Sequence, residues 1–385
     1  MGVLFPGPHR VAVRPIRLLV PGNIRHSSGG NVYNAHLVAG LQALGAAVDV
    51  ISVDGGWPDA GADERRRLGT LLGAWESDKA PGNAVVIVDG LVAVGAPDEL
   101  EFAANTGRET WVLVHMPVPE SSGSAALDRE VRALRAATGV VCSSASAASV
   151  LTTRGLRQAQ VVLPGVEPAP QAAGSTPPHL AVVAALLPNK DQVLTVEALA
   201  RIKDLEWTAS FVGSDHADPD YAREVQAAIT ANGLQERVRL EGELTGRDLE
   251  AEWARTDLTL LVSRIEAFGM AVTESLAHGI PVLVREGTGA VEALGIAGIR
   301  ADDGGPRLPG AALPLPAGAS ESPGRLAEVL RRWLTDEQTR ESWRAAALKA
   351  RTRLPDWSST AQEMLALLSG AGQQEPAETE GPGQD

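Results

Sequence analysis

The stretch that decides the fold is "SRIEAFGMAVTESLAHGIPVLV", Ser263–Val284, which sets two glutamates around an almost wholly apolar run. Glu266 and Glu274 are separated by seven residues, and Gly269 lies between them. The pattern predicts a strand, then a loop carrying the first glutamate, then a helix over about 270–278. On its own the pair could equally be an exposed loop acid and an acid favoured by the helix dipole.

The entry to this helix is a candidate anion site. Met270, Ala271 and Val272 form its first turn, where backbone N–H groups have no partner inside a helix. Gly269 directly before them lets a ligand approach the backbone closely. We therefore expect the first-turn amides to hold a phosphate, with a glutamate on either side to receive hydroxyl groups.

Composition limits the class of protein. A chain of 385 residues with 44% apolar content suits two globular domains. The single cysteine, Cys142, excludes an intrachain disulfide and a cysteine-based metal cluster. No apolar stretch approaches the ~20 residues of a membrane span, and the first residues lack a signal-peptide layout. We expect a cytoplasmic protein without an integral membrane segment, and leave attachment to the inner membrane face open.

The formal charge of −14 argues against nucleic acid as a partner. It does not argue against a small anionic ligand, because a few local groups can outweigh the overall field. The chain holds only four lysines among its 34 basic residues, so a lysine close to a predicted ligand edge is informative.

Strand-like and helix-like segments alternate along the whole chain, which is typical of parallel α/β sheets. The pattern predicts two doubly wound, Rossmann-like domains facing each other across a cleft. We expect an N-terminal domain over 1–173 and a C-terminal domain over 177–355, with a helix over about 356–369 returning to the first. The tail 370–385 is polar and acidic, and we expect it to be disordered.

Three further predictions concern single elements, two strands and one helix. The last strand of the first domain is predicted over 161–167, and the last strand of the second over 297–301. One helix is predicted to contain Trp343, Leu348 and Trp357.

Ligands of such sheets bind beyond the carboxyl ends of the strands. Gly29, Gly30 and Asn31 follow the first strand and open a helix, but the G-x-G-x-x-G spacing of a dinucleotide site is absent. His115 ends a strand in "VLVHMP" and is either a structural histidine or a site residue. Lys190 opens a helix, where its charge opposes the dipole unless an anion is bound.

Taken in order, these motifs resemble family-4 retaining glycosyltransferases of the GT-B fold. The resemblance is most specific in the Glu-x7-Glu segment, which includes Phe268 and Gly269. It extends over nearly the whole chain through the glycine loop, the "VHMP" strand end and the "LPNKD" turn. It implies transfer of a sugar from a nucleoside-diphosphate sugar with retention of configuration, without a metal or other cofactor.

The resemblance also implies roles for individual residues. Glu274 would bind the nucleotide ribose, and Glu266 the hydroxyls of the donor sugar. Residues 269–272 and Lys190 would hold the diphosphate, with His115 facing the sugar. Residues 29–31 would border the diphosphate and the acceptor.

Two positions depart from the family pattern. The usual arginine before the lysine is absent, since Ala184 and Ala185 stand there, and the glycine after the lysine is Asp191. Arg264, in the loop before Glu266, is the candidate to replace the missing cation.

The donor is expected to be UDP- or GDP-linked, and the acceptor a small molecule, a glycan or a lipid-linked group that the sequence does not identify. Two alternatives stay open: a non-catalytic nucleotide-sugar-binding or accessory protein, and a nucleotide-sugar epimerase. A phosphorylase would need a lysine for pyridoxal phosphate, for which the chain offers few candidates.

Overall fold

The computed structural model describes residues 14–24, 28–75, 82–156, 158–300, 307–316 and 318–370. Within them the chain forms two six-stranded sheets in which every strand pair is parallel, with helices on the faces. This confirms the predicted pair of doubly wound units. Parallel strands are buried on both faces, which explains why they appear in the sequence as continuous apolar runs.

The first sheet has the order β2-β1-β3-β4-β5-β6. Its strands are β1 Ile16–Pro21, β2 Val48–Val53, β3 Val85–Asp89, β4 Thr110–Val114, β5 Gly139–Cys142 and β6 Gln160–Val161. Its helices are α1 Gly29–Ala43, α2 Ala62–Leu72, α3 Gly90–Val94, α4 Pro97–Asn105, α5 Ser124–Ala136 and α6 Ala145–Thr153.

The second sheet has the order β12-β11-β10-β7-β8-β9. Its strands are β7 His179–Val183, β8 Thr208–Val212, β9 Val238–Gly242, β10 Leu258–Leu261, β11 Val282–Arg285 and β12 Gly310–Leu313. Its helices are α7 Gln192–Ala200, α8 Pro219–Ala231, α9 Gly246–Arg255, α10 Met270–Ala277, α11 Ala290–Gly295, α12 Ser322–Thr335 and α13 Glu337–Arg351.

The chain crosses between the two halves twice, and the crossings lie side by side. The Val166 N–H donates to the carbonyl oxygen of Pro355 over 3.0 Å. The last helix, α14 Trp357–Gly370, then packs against α1 in the core of the first half. The Thr360 hydroxyl on that helix donates to the carbonyl oxygen of Leu163 over 2.9 Å, which joins the two crossings.

The prediction of a final strand over 297–301 is wrong for residues 297–300, the part that the structure describes. The edge strand is instead Gly310–Leu313, and Arg300 lies outside it in an isolated bridge. The sequence "GAAL" of β12 has low strand propensity, so only its pairing with β11 makes it a strand. The segment that was predicted as a strand, 297–300, carries a β-branched isoleucine, Ile299, which packs in the core without joining the sheet.

Two other boundaries differ. The strand predicted over 161–167 is only Gln160–Val161, because Pro164 removes the donor that would continue the ladder. The single helix predicted around Trp343 and Trp357 is two helices, α13 and α14, separated near Pro355. Proline cannot donate inside a helix, so the chain turns there.

Among the described residues, no helix is both long and apolar enough to cross a membrane. The predicted disordered tail beyond Gly370 lies outside the described residues.

Candidate active site

The amino termini of two helices, one from each half, face each other. α1 begins at Gly29 and α10 begins at Met270. A Cβ atom placed on Gly29 would lie 3.8 Å from the sulfur of Met270. Met270 also packs against the cores of both halves. Because the positive end of each helix dipole points toward this junction, the junction suits an anionic ligand.

A lysine–glutamate pair lies beside the start of α10. The Lys190 Nζ donates to Oε2 of Glu266 over 2.7 Å, and the side chains are 18% and 12% exposed. The Ser263 hydroxyl donates to the same oxygen over 3.3 Å. The loop backbone is held as well, because the Gly289 N–H donates to the carbonyl oxygen of Glu266 over 2.7 Å. The structure thus brings together the predicted cation and the predicted sugar-binding carboxylate.

Glu274 lies one turn into α10, and its surroundings differ from those of Glu266. Among the described residues its carboxylate has no hydrogen-bond or ion-pair partner, and the side chain is part-buried. Burial without a counter-charge raises the pKa of Glu274 to about 7. A partly buried carboxyl group without a partner is available for a ligand.

The start of α10 is built without a side-chain cap. Gly269 has φ 90°, in the left-handed region, and no side chain caps the helix. The Val272 N–H already donates to the carbonyl oxygen of Gly269 over 2.9 Å, and Val272 is buried. Of the three expected donors, only the N–H groups of Met270 and Ala271 are therefore without a protein partner among the described residues. Phe268 is buried in the adjacent core.

Asp191, the residue that replaces the family glycine, has φ 58°. A left-handed conformation explains why glycine suits this position and why aspartate is tolerated. Its carboxylate is buried and accepts from two arginines: Arg264 Nη2 at 2.7 Å, and Arg285. The negative charge beside Lys190 is therefore neutralised, and Arg264, whose side chain is 45% exposed, is tethered next to the lysine.

His115 sits at the end of β4 against the start of α1. A Cβ atom on Gly30 would lie 2.9 Å from its Cδ2, so only glycine allows this contact. Its Nε2 lies 2.9 Å from Oδ1 of Asn34 and 3.6 Å from Oδ2 of Asp89. Burial lowers the pKa of His115, although the nearby carboxylate of Asp89 opposes the shift.

Asn31, predicted at the acceptor side, has mainly a local role in these contacts. Its N–H donates to Oγ of Ser28, the N-cap of α1, over 3.2 Å. Its side chain donates to the carbonyl oxygen of Ile24 over 3.4 Å. Asn31 thus fixes the start of the helix that faces α10.

Sequence reasoning missed four residues here. Asp89 and Arg285 end strands, a position that could have marked them. Asn34 carried no such signal, because its contacts with Asp89 and His115 depend on how α1 packs against the sheet. Glu292 on α11 also carried none: its carboxylate accepts from the N–H groups of residues 145 and 146 in the other half, each over 2.9 Å.

Comparison with known proteins agrees with this geometry. Residues 167–300 match the family of glycosyl transferases group 1, a segment that contains Lys190, Glu266 and Glu274. The chain carries a group 1 glycosyltransferase domain. The resemblance indicated by the Glu-x7-Glu segment is thereby confirmed.

Two curated relatives of this glycosyltransferase domain match over part of their length. Mannosylfructose-phosphate synthase of Agrobacterium fabrum is 27% identical over 193 residues, which cover 48% of this chain and 39% of the relative. D-inositol 3-phosphate glycosyltransferase 1 of Catenulispora acidiphila is 31% identical over 162 residues, covering 41% and 34%. The chain thus spans less than half the length of either relative.

Solved structures share the fold over nearly all of the chain. HepE of Anabaena, in complex with UDP and glucose, superimposes with a TM-score of 0.69 at 18% identity, covering 93% of this chain and 100% of that one. Sucrose-phosphate synthase of Thermosynechococcus elongatus gives a TM-score of 0.71 at 18% identity, covering 93% and 98%. The chain therefore has the GT-B fold of these structures.

Proposed function

We propose that the protein is a retaining glycosyltransferase that moves a sugar from a nucleoside-diphosphate sugar to an unidentified acceptor. The observation that carries the proposal is the Lys190–Glu266 pair beside the uncapped start of α10, with the unpartnered Glu274 one turn further on. The acceptor would be a small molecule, a glycan or a lipid-linked group. We also propose that the donor-binding domain comprises residues 177–355 and the acceptor-side domain residues 1–173.

In this proposal the site stabilises the leaving diphosphate. The bond between the anomeric carbon and the phosphate oxygen breaks, which leaves negative charge on the diphosphate. Lys190 and the N–H groups of Met270 and Ala271 stabilise that charge, and such preorganised groups are often the largest contribution in enzymes. The acceptor hydroxyl then bonds to the anomeric carbon from the same face, and its proton passes to the departing phosphate oxygen.

The two glutamates hold the neutral parts of the donor. Glu266 accepts from sugar hydroxyls while its ion pair with Lys190 holds the carboxylate in place. Glu274 accepts from the ribose hydroxyls. His115, at the end of β4, faces the sugar, and Gly29 and Gly30 border the diphosphate at the start of α1. The small size of the glycines supports this, because the backbone there lies against Met270 and His115.

Arg264 takes the place of the absent family arginine. The carbonyl oxygen of Ala185, where that arginine would stand, accepts from the Gln192 side chain over 2.9 Å. Asp191 ties Arg264 instead to the turn that carries Lys190. Half-exposed and held at one end, its guanidinium can still offer donors to a diphosphate.

The fold neighbours indicate which donors to test first. HepE of Anabaena has been solved with UDP and with UDP-glucose, so UDP sugars are the first donors to test. A non-catalytic nucleotide-sugar-binding protein is the second candidate, and the alanine at position 185 is the observation that favours it.

The experiment follows diphosphate release from a panel of UDP, GDP and ADP sugars, with simple sugars and polyols as acceptors. Lys190→Ala should lower kcat/KM by about 100-fold, the scale of losing one stabiliser of developing charge. Glu266→Gln should lower kcat while leaving binding of free UDP nearly unchanged, because Glu266 contacts the sugar. Lys203→Ala, an exposed lysine whose Nζ donates to Asn232, is the matched control and should behave as the unaltered protein.

Two results would contradict the proposal. Tight nucleotide binding with no turnover of any donor would support the non-catalytic alternative. Unchanged rates in both site variants would show that the assigned residues are not the site.

A further inference from the structure

Three polar groups meet at the carboxyl end of the first sheet, where α1, β3 and β4 come together. Asn34 and Asp89 are only 6% and 5% exposed, and both point toward the ring of His115. Buried polar groups are normally retained only when they are hydrogen-bonded. The proposed function assigns no role to Asn34 or Asp89, although each is close to the histidine that faces the donor.

The direction of every hydrogen bond in this cluster can be deduced. The Asp89 carboxylate accepts from the Leu91 N–H over 2.9 Å and from Nδ2 of Asn34 over 3.2 Å. Because a carboxylate only accepts, the amide of Asn34 must turn its NH2 group toward Asp89. Its oxygen then faces His115, at 2.9 Å from Nε2. Since an amide oxygen also only accepts, Nε2 must carry the proton.

The ring is also held in place sterically. Tyr33 lies edge-on to it with ring centroids 5.1 Å apart, and Gly30 leaves just enough room on the α1 side. The Ser143 hydroxyl donates to the carbonyl oxygen of His115 over 3.3 Å. A neutral histidine with its proton on Nε2 presents an acceptor at Nδ1, and Nδ1 has no protein partner among the described residues.

We propose that Asn34 and Asp89 are positioning residues that hold His115 as the Nε2–H tautomer, so that Nδ1 accepts a hydrogen bond from a hydroxyl group of the donor sugar. The proposal rests on the proposed function, because it specifies what His115 does toward the donor. It makes the histidine an acceptor in the donor complex, neither a general acid nor a cation. The donor must therefore present a hydroxyl group at this place.

The tautomer can be read directly from the ¹⁵N signals of the imidazole ring in the full chain, without any turnover. His115→Gln identifies which of the histidine signals belongs to His115. The unaltered protein should show a protonated Nε2 and an unprotonated Nδ1. Asn34→Ala, which removes the acceptor facing Nε2, should give a mixture of tautomers.

Asp89→Asn is the second probe. Its side chain can donate as well as accept, so the Asn34 amide is free to turn and the tautomers should again mix. Circular dichroism and thermal melting show whether each variant is folded. Asn105→Ala, at an exposed asparagine on α4, is the matched control and should leave the His115 signals unchanged.

Ligand and rate measurements complete the test. A UDP or GDP sugar should shift the Nδ1 signal, while free UDP or GDP should not. With an active donor, Asn34→Ala should lower kcat about tenfold, the scale of one hydrogen bond, with UDP binding unchanged.

A tautomer that persists in Asn34→Ala and Asp89→Asn, or an Nδ1 signal that a bound nucleotide sugar does not move, would overturn the inference. Absence of nucleotide-sugar binding would instead overturn the proposed function, and the tautomer would still be measured.

Discussion

At the residue scale, the surroundings of Glu274 set its chemistry. Its part-buried carboxyl group lacks a counter-charge among the described residues, which raises its pKa from 4.5 to about 7. The unfolded chain releases this proton at a lower pH than the folded protein does. Between those values the folded state binds more protons, so the contribution of Glu274 to stability falls as pH rises toward 7 and stays unfavourable above it. A residue kept at such a cost is typical of a binding site.

This pKa gives a prediction for donor binding. In the proposed function the ionised carboxylate accepts from two ribose hydroxyls. UDP-glucose should therefore bind about tenfold more weakly at pH 6 than at pH 8, following the ionised fraction of a group with pKa near 7. Isothermal titration calorimetry measures this, and the diphosphate ester of UDP-glucose does not itself titrate in that range. Glu274→Gln should bind weakly at both pH values.

The same substitution should also stabilise the protein without ligand at pH 8, by about 1–3 kcal/mol, because it removes a poorly solvated charge. Glu286→Gln, an exposed glutamate after β11, is the control and should change neither quantity. An equally steep pH dependence in Glu274→Gln would show that another group is responsible.

At the scale of one element, the start of α10 depends on the conformation of Gly269. A Cβ atom there would lie 2.9 Å from Cδ2 of Leu261 and 3.4 Å from the Cβ of Ala290. The left-handed backbone at φ 90° is costly for any residue with a side chain. The glycine therefore aims the N–H groups of Met270 and Ala271 and cannot be replaced without moving them.

Gly269→Ala should lower the free energy of unfolding by about 1–2 kcal/mol, the cost of a left-handed alanine, and should also weaken UDP binding. Denaturant unfolding and calorimetry measure the two effects. Gly295→Ala is the matched control, since a Cβ atom at the end of α11 meets nothing within 4 Å. If Gly269→Ala bound UDP as tightly as the control, the first turn of α10 would not be the diphosphate site.

At the scale of the whole molecule, Glu292 joins the two halves. It lies in the first turn of α11, and its two carboxylate oxygens accept from the Ala145 and Ser146 N–H groups at the start of α6. An anion at a helix N-terminus gains from both hydrogen bonds and the helix dipole. The contact therefore favours the arrangement in which the two candidate phosphate-binding helix ends face each other.

Glu292→Ala should shift the protein toward more open arrangements, by about 1–2 kcal/mol, the size of a favourable charge–dipole contact. Small-angle X-ray scattering without ligand should give a larger radius of gyration, and a nucleotide sugar should partly reverse the change. Glu286→Ala, beside the same edge of the sheet, is the control. Scattering curves that superimpose for both variants would show that Glu292 does not hold the halves together.

The fold was predictable from the sequence because its determinants are local. Continuous apolar runs predicted the buried parallel strands, and glycine and proline marked most of their ends. Prediction failed where tertiary contacts override propensity: "GAAL" becomes the edge strand β12 because β11 offers it a ladder, while residues 297–300 form no strand and only Arg300 among them makes an isolated bridge.

For the candidate site, the sequence by itself placed Lys190, His115 and the two glutamates in the segments that connect strands to the following helices or in the first turns of those helices. Their order along the chain follows from the repeated strand–loop–helix unit. Only the tertiary structure decided their partners: Lys190 with Glu266, Asp191 with two arginines, His115 with Asn34 and Asp89, and Glu292 with the other half. Hydrogen bonds and charge pairs form between residues distant in the chain, at ångström distances that only packing sets, and no local pattern encodes them.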